Sequence, residues 1–245
     1  MNPAQDLTIV TTVTGPYVRF LKDWAASIAA QEVRPARVLV IGNGLGPADR
    51  LACPGALEGA GLPRIFFDLR WSGCGHARNF AINQVDTPWV MHLDADDCLL
   101  PDALQQVAAL AETADVVSLG YRHWWPENSH GAEREVTYPR LDGREALGDV
   151  PRIASGCSPF RRSLWCDWHY PEQLEASWDY GLWLGFAHLG ARFRPTSRPA
   201  FRYRQWEGSH WRQVGQHRHD DLLTLRRALE QNFAAAQAAN LGRVP

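Results

Sequence analysis

The chain has 245 residues, of which 45% are hydrophobic and 21% charged, a composition that suits one large globular domain or two small ones. No stretch reaches the roughly 18 uninterrupted apolar residues of a membrane span, and no basic region followed by an apolar block opens the sequence. The net charge of −2 argues against a bulk nucleic-acid or anionic-membrane binder. Five cysteines without a C-x-x-C pair indicate neither a disulfide framework nor a zinc ribbon, so we expect a soluble, cytoplasmic protein.

The first half of the chain alternates short apolar runs with segments of helical spacing. Strands are predicted at 7–13, 37–41, 64–69, 89–93 and 115–119, and helices at 20–28, 77–84 and 101–114. This alternation implies an α/β fold with a largely parallel sheet, which binds ligands beyond the carboxyl ends of its strands. We therefore expect the functional loops to follow Val13, Ile41, Leu69 and Leu93.

The second half of the chain has a looser pattern. Tryptophans, prolines and glycines mark an irregular segment after residue 120, and helical spacing returns at 179–189 and at 216–239. No linker composition separates the two halves, so we interpret the sequence as one domain.

Three carboxylates follow the strand predicted at 89–93. Asp94, Asp96 and Asp97 would repel one another at the end of an apolar strand unless a cation or solvent compensated them. A hard ion such as Mg²⁺ or Mn²⁺ takes one or two carboxylates and completes its shell with water and phosphate oxygens. The alternative is an acidic N-cap of the helix predicted from Pro101, an interpretation that suits Asp97 better than the other two.

A glycine-containing turn precedes the helix predicted at 77–84. Gly73 and Gly75 place backbone N–H groups where an anion would meet the start of the helix, with Arg78 nearby. The spacing is not that of a dinucleotide-binding G-x-G-x-x-G, so an ordinary glycine turn remains the alternative.

Five motifs in a fixed order resemble glycosyltransferase family 2, whose members have the GT-A fold. The segments are GHARNFAI (75–82), WVMHLDADD (89–97) followed by Pro101, SGCSPFRR (155–162), DYGLWL (179–184) and YR (203–204) followed by GS (208–209). They are similar to the family strings ARNxGI, hhxLDADDxxxP, G-x-x-x-hFRR, EDxDLWL and YRxHxGS, and the resemblance spans residues 7–210.

The resemblance implies a mixed, mainly parallel GT-A sheet flanked by helices and a metal-dependent, inverting transfer of one sugar. The donor would be a nucleotide-diphosphate sugar, the acceptor a hydroxyl, and the cofactor Mn²⁺ or Mg²⁺. We expect a single GT-A domain over 1–245, with a nucleotide-sugar-binding half at 7–119, an acceptor and catalytic half at 120–215 and a C-terminal helix at 216–245.

The same resemblance assigns roles to individual residues. Asp94 and Asp96 would be the DXD pair that holds the donor ribose and the metal-bound diphosphate, and Asp179 would be the general base. The other residues assigned to the donor are Thr12, Asn43, Arg78 and Arg204. A further candidate metal ligand is His210, and the candidate acceptor-binding residues are Trp178, Trp206 and Trp211.

Three positions depart from the family pattern. Asn43 replaces the carboxylate expected to bind the nucleobase or ribose, which leaves the base of the donor open. Trp178 replaces the glutamate that precedes the catalytic aspartate, and Trp206 stands where the family often has a histidine near the metal. Two alternatives therefore remain: a catalytically degenerate module that binds nucleotide sugars or carbohydrate, and a sugar-phosphate nucleotidyltransferase. The first strand lacks the GxGTR-like signature of the latter.

Positive charge is concentrated near the end of the chain. Between Arg192 and Arg227 there are nine arginines against three acids. This excess suits the donor diphosphate or a polyanionic acceptor, including nucleic acid or a phosphorylated glycan. An ordinary solvated basic face is the equally weighted alternative.

Overall fold

The computed structural model describes residues 1–58, 60–126, 134–143, 145, 153–174, 176–214, 226–228 and 231. Its strands are β1 (Leu7–Val13), β2 (Arg37–Asn43), β3 (Arg64–Leu69), β4 (Trp89–His92), β5 (Cys98–Leu99), β6 (Val116–Ser118), β7 (Tyr121–Trp124), β8 (Glu135–Val136), β9 (Leu141–Asp142), β10 (Phe160–Arg161), β11 (Arg192–Pro195) and β12 (Phe201–Arg204). Its α-helices are α1 (Pro3–Asp6), α2 (Leu21–Ala29), α3 (Pro47–Ala56), α4 (Cys74–Asn83), α5 (Ala103–Leu110), α6 (Arg162–Asp167), α7 (Trp178–His188) and α8 (His210–Gln213), and a 3₁₀ helix spans Gly15–Phe20.

The main sheet has the strand order β3-β2-β1-β4-β10-β6-β11-β9. The first four of these strands run parallel, and β10 inserts antiparallel between β4 and β6. Strands β1, β2 and β4 are buried almost throughout, as expected of parallel strands that are covered on both faces. The prediction of a largely parallel sheet is therefore confirmed.

Alternate side chains of β1 enter two separate cores. Ile9 belongs to a cluster that includes Trp24 and Ile28 of α2, whereas Val10 belongs to one that includes Ile82 of α4 and Trp183 of α7. This alternation follows from the two-residue period of a strand. The helices thus cover both faces of the sheet and hold the carboxyl ends of its strands in fixed positions.

A second, smaller sheet has the order β5-β12-β7-β8. Strand β12 pairs parallel with β7 and antiparallel with β5. Because β5 begins directly after residues 93–97, the acidic loop joins the main sheet to this second sheet. Sequence patterning did not predict the second sheet.

Most predicted elements agree with the structure within a few residues, with two differences. The helix expected over 101–114 is shorter, at Ala103–Leu110, because Pro101 and Asp102 form a turn that follows β5. The helix expected at 216–239 lies outside the described residues apart from 226–228 and 231. Among the helices that the structure describes, none has the length and apolar character to cross a membrane.

Candidate active site

A cavity of about 550 Å³ opens at the carboxyl ends of the parallel strands. Its lining includes Thr14 after β1, Asn43 at the end of β2, Trp71 after β3 and Asp94 after β4. The functional loops expected from the sequence therefore meet at one cavity. A volume of this size is typical of sites that enclose a small molecule.

Asp94 is held by two basic side chains. Arg78, only 9% exposed, donates from Nη2 to Asp94 Oδ1 at 2.9 Å, and His92 Nδ1 lies 3.3 Å from the same oxygen. Burial disfavours the carboxylate, but the charge of Arg78 and the contact with His92 outweigh it and hold the pKa of Asp94 below its ordinary value. Asp94 is therefore an ionised group at the cavity wall.

Arg78 itself is fixed by aromatic rings. Its guanidinium lies over the ring of Tyr170 at 5.5 Å and over that of Trp178 at 5.2 Å. Arg78 lies in the first turns of α4, whose N-cap residue Gly73 has φ 79°. A Cβ added to Gly75 would lie 3.0 Å from Pro171 and Glu172, so the start of the helix packs closely against that segment. The glycine turn of the sequence is thus a packing requirement that aims Arg78 at the acidic loop.

Asp96 is oriented by the end of β12. Trp206 donates its indole N–H to Asp96 Oδ2 at 2.9 Å, and Arg204 donates from Nε to the Asp96 carbonyl at 2.8 Å. Burial, followed by the negative charge of Asp94, raises the pKa of Asp96 to about 6. The carboxylate of Asp96 lines the cavity, and the positive charge near it does not offset its burial and the charge of Asp94.

Asp97 has a structural position rather than the N-cap position considered from the sequence. It is fully buried, accepts the backbone N–H of Arg204 at Oδ1 over 2.9 Å and faces the Cys157 thiol at 3.5 Å. The N-cap position of α5 is occupied by Asp102. Burial and the charges of Asp96 and Asp94 raise the pKa of Asp97 well above its ordinary value.

The acidic loop fits a hard divalent cation. Among the described residues, Asp94, Asp97 and Cys157 form a group of ligand-type side chains whose atoms lie within 4.8 Å of one another. Burial raises the pKa of the Cys157 thiol well above its ordinary value, so this side chain is a poor ligand for Mg²⁺ or Mn²⁺. Asp94, Asp96 and Asp97 all line the cavity, and a cation there would offset the repulsion among their negative charges.

His210 does not join this group of ligand atoms. Its ring stacks on Trp178, with centroids 5.2 Å apart and planes inclined by 26°, while its backbone N–H donates to Tyr17 Oη. Both rings line the cavity. This packing favours a role for His210 in stacking on Trp178 over the expected role as a metal ligand.

Two donor-side residues hold neighbouring protein groups. Asn43 accepts the backbone N–H of Ser72 at 3.1 Å through Oδ1 and donates to the Gly73 carbonyl at 3.3 Å through Nδ2. Thr12 Oγ1 lies 3.3 Å from His92 Nε2. Both residues line the cavity, but the amide of Asn43 primarily fastens the turn at residues 72 and 73 to β2.

Trp71 is a cavity residue that sequence reasoning missed. Its side chain is 64% exposed although it lines the cavity, and a Cβ added to Gly44, whose φ is 69°, would lie 3.0 Å from Trp71 Cβ. The signal in the sequence was a large aromatic residue between a strand and a glycine turn. Its exposure leaves a flat apolar face available to a ligand.

Asp179 lies in the first turn of α7 and lines the cavity. Gly156 packs against it, since a Cβ there would lie 3.4 Å from Asp179 Oδ2. The preceding residue, Trp178, is mostly buried, and its indole N–H donates to the Leu174 carbonyl at 2.6 Å. The structure thus places Asp94, Asp96 and Asp179 on the wall of one cavity.

Two assignments made from the sequence need correction. Trp206 is only 8% exposed and packs edge-on against Tyr17 and Phe20, so it offers no free face to an acceptor. Arg204 is buried, and its guanidinium is bound to the Asp96 carbonyl and to Asp23 at 3.0 Å, so it does not reach a donor. Neither residue is part of the cavity lining. The side chain of Trp211, a residue of α8, lies outside what the structure describes.

Part of the arginine excess is neutralised within the fold. Each of four arginines forms an ion pair with an acid that is distant in sequence: Arg192 with Asp115, Arg194 with Asp142, Arg198 with Asp102 and Arg204 with Asp23. Residues 215–225 lie outside the described part of the chain. The charges of these four arginines are therefore compensated by acids of the protein itself.

The comparison with protein families gives one match. The model of glycosyl transferase family 2 matches residues 26–168. Among curated proteins, none matches in sequence.

Solved structures are similar in fold. S. aureus TarS 1-349 aligns with a TM-score of 0.66 at 19% identity, over 81% of this chain and 60% of that one. The same protein in complex with UDP-GlcNAc gives a TM-score of 0.65 at 19% identity, over 84% of this chain and 60% of that one. The mannosyltransferase PcManGT from Pyrobaculum calidifontis, in complex with GDP-Man and Mn²⁺, gives a TM-score of 0.58 at 18% identity, over 98% of this chain and 66% of that one. The GT-A fold is thereby confirmed, and the chain spans 60% of the length of TarS 1-349.

Proposed function

The chain belongs to glycosyl transferase family 2, and on this premise we propose that it transfers one sugar from a nucleotide-diphosphate sugar to an acceptor hydroxyl. The observation that carries the proposal is the carboxylate pair Asp94 and Asp96, placed at the end of β4 on the wall of a ligand-sized cavity. Asp179 lines the same cavity, so groups suited to both halves of a transfer reaction face one space.

Asp94 and Asp96 would hold Mn²⁺ or Mg²⁺ together with the donor diphosphate. The ion, when bound, supplies positive charge that stabilises the departing diphosphate. The ion pair with Arg78, at 2.9 Å, keeps Asp94 ionised and in place. The hydrogen bond from Trp206 orients the carboxylate of Asp96. The complexes of the neighbouring structures with UDP-GlcNAc and with GDP-Man and Mn²⁺ support a nucleotide-sugar donor.

Asp179 would act as the general base of an inverting transfer. Its carboxylate takes the proton of the acceptor hydroxyl while that oxygen bonds to the anomeric carbon and the bond to the diphosphate oxygen breaks. The first turn of α7 carries this carboxylate, and Gly156 leaves room for it at 3.4 Å. The face of the sugar opposite the leaving group is where such a base must stand.

The direct test is a thermal-shift panel of UDP, GDP, CDP and dTDP, each with and without Mn²⁺. We expect one nucleotide to stabilise the protein with metal, and Asp96→Ala to remove that shift. Asp102→Asn is the matched control, because Asp102 is a nearby acid that pairs with Arg198 and is not part of the cavity lining. Absence of a shift with every nucleotide and metal would contradict the donor site.

Turnover separates an enzyme from a binding module. We expect the wild type to hydrolyse or transfer the sugar of the donor that it binds, and Asp179→Asn to bind the nucleotide unchanged while losing turnover by about 100-fold or more. Tight donor binding without turnover, unaffected by Asp179→Asn, would favour the degenerate binding module instead.

A further inference from the structure

The second sheet presents a face of aromatic rings to the cavity. Its central strands have the sequences Tyr-Arg-His-Trp in β7 and Phe-Arg-Tyr-Arg in β12, with aromatic rings at the first and third positions of each. The parallel register pairs Tyr121 with Phe201 and His123 with Tyr203. Because paired residues of neighbouring strands point to the same side of a sheet, these four rings share one face. We call them the aromatic wall.

The rings of the aromatic wall pack closely against one another. The ring centroid of Tyr121 lies 5.3 Å from those of His123, Phe201 and Tyr203, and the centroids of His123 and Tyr203 are 5.7 Å apart. Phe201 is buried, whereas Tyr121, His123 and Tyr203 are partly exposed. All four residues line the cavity that also contains Asp94 and Asp179.

The arginines of these strands face the other way. Arg202 and Arg204 lie over the ring of Trp124 at 5.6 and 4.1 Å, and Arg122 pairs with Glu135. Because alternate residues of a strand point to opposite faces, the arginines lie on the face away from the cavity and the aromatic wall lies on the face toward it. In the described lining the arginines are Arg78, which is bound to Asp94, and Arg134.

We propose that the aromatic wall is the acceptor subsite and that the acceptor is a saccharide rather than a polyanion. A sugar ring has an apolar face of C–H groups and a rim of hydroxyls, and tyrosine and histidine offer a flat face with a polar edge to match both. A sugar stacked on Tyr203 would meet the ring of His123, inclined by 75° to that of Tyr203, from the side. It would remain within the cavity that Asp179 lines, where its hydroxyl can lose a proton. This inference rests on the proposed glycosyl transfer.

The test measures saccharide binding by saturation-transfer NMR. The probes are the methyl glycopyranosides of glucose, galactose, mannose and N-acetylglucosamine, their neutral disaccharides, and inorganic polyphosphate as the polyanion. We expect the wild type to bind at least one neutral glycoside, and Tyr203→Ala to weaken that binding about threefold to tenfold, the usual effect of losing one aromatic stacking partner. Tyr203→Phe, which keeps the ring, should stay within about twofold.

Controls separate this inference from misfolding and from failure of the proposed function. Arg202→Ala alters the opposite face of the same strand and should leave glycoside binding unchanged; His123→Ala should repeat the loss seen for Tyr203→Ala. All variants should retain the metal-dependent nucleotide shift. If the nucleotide shift and donor hydrolysis persist while Tyr203→Ala and His123→Ala bind glycosides like the wild type, the acceptor assignment is overturned. Binding of polyphosphate alone, or of no probe, overturns it equally, whereas loss of the nucleotide shift in the wild type refutes the proposed function itself.

Discussion

The indole N–H of Trp206 lies 2.9 Å from Asp96 Oδ2, and this buried hydrogen bond ties the end of β12 to the acidic loop after β4. The contact joins residues 110 positions apart in the sequence. Tyr17 and Phe20 hold the indole edge-on at 5.2 Å each, so the ring has little freedom to turn away. An indole has no lone pair in its plane with which to bind a metal, so Trp206 acts on the proposed ion through Asp96.

Trp206→Phe keeps an aromatic ring between Tyr17 and Phe20 but removes the donor to Asp96. A hydrogen bond to a charged group contributes about 1.5 kcal/mol or more, so we expect metal-dependent nucleotide affinity to fall at least tenfold. Titration calorimetry of Mn²⁺ with the nucleotide measures the effect. Trp168→Phe is the control, because its indole donates to the Gly181 carbonyl, outside the cavity lining. Equal affinities in the two variants would show that Trp206 does not position Asp96.

Gly208→Ala tests the same relationship from the packing side. A Cβ at position 208 would lie 2.2 Å from Trp206 Cζ3, so the indole or the backbone at 208 must shift. We expect this shift to weaken the hydrogen bond from Trp206 to Asp96. We expect a loss of nucleotide affinity similar to that of Trp206→Phe, and little further loss when the two changes are combined, because both act on one contact. Gly55→Ala is the matched control, since a Cβ there meets nothing within 4 Å. Additive losses in the double variant would contradict the shared mechanism.

The front half of the fold and the place of the site were predictable because they depend on local patterns. Strands such as β1 and β2 are short runs rich in β-branched and apolar residues, and the rule that ligands bind at the carboxyl ends of parallel strands located the cavity that Asn43 and Asp94 line. The acidic loop stood out because three carboxylates at the end of a buried strand need compensation.

The remaining features depend on contacts between distant residues. Strands β5 and β8 have two residues each, too short for any periodicity, and Arg202 pairs with Cys98 across the gap between the two halves of the chain. The ion pairs within the arginine-rich segment were out of reach for the same reason, because the partner acids Asp115 and Asp142 lie in other elements. Propensity and spacing carry no information on such pairings, which tertiary packing decides.

Asp97→Asn is expected to differ sharply from Asp96→Asn. Both oxygens of Asp97 accept from protein groups, the Arg204 backbone N–H at 2.9 Å and the Cys157 thiol at 3.5 Å, and an amide preserves the first of these contacts. We expect Asp97→Asn to bind the metal and nucleotide within about threefold of the wild type, whereas Asp96→Asn loses most of the affinity because a charged oxygen ligand is removed. Calorimetry with Mn²⁺ and the preferred nucleotide provides the comparison. A severe loss of affinity in folded Asp97→Asn would make Asp97 a ligand and not a structural acid.

Trp71→Ala separates nucleotide binding from stability at the exposed rim of the cavity. Trp71 is 64% exposed, so truncating its side chain creates no internal cavity and should change the free energy of unfolding by about 0.5 kcal/mol or less. Its free face stands beside Asn43, on the side of the cavity formed by the ends of β2 and β3, where stacking on the nucleobase is expected. Loss of such stacking costs about 1–3 kcal/mol, so nucleotide affinity should fall roughly tenfold or more while Trp71→Phe retains part of it. Leu51→Ala removes an 81% exposed side chain that is not in the cavity lining and should leave nucleotide affinity unchanged. Unchanged affinity in Trp71→Ala would place the base elsewhere in the cavity.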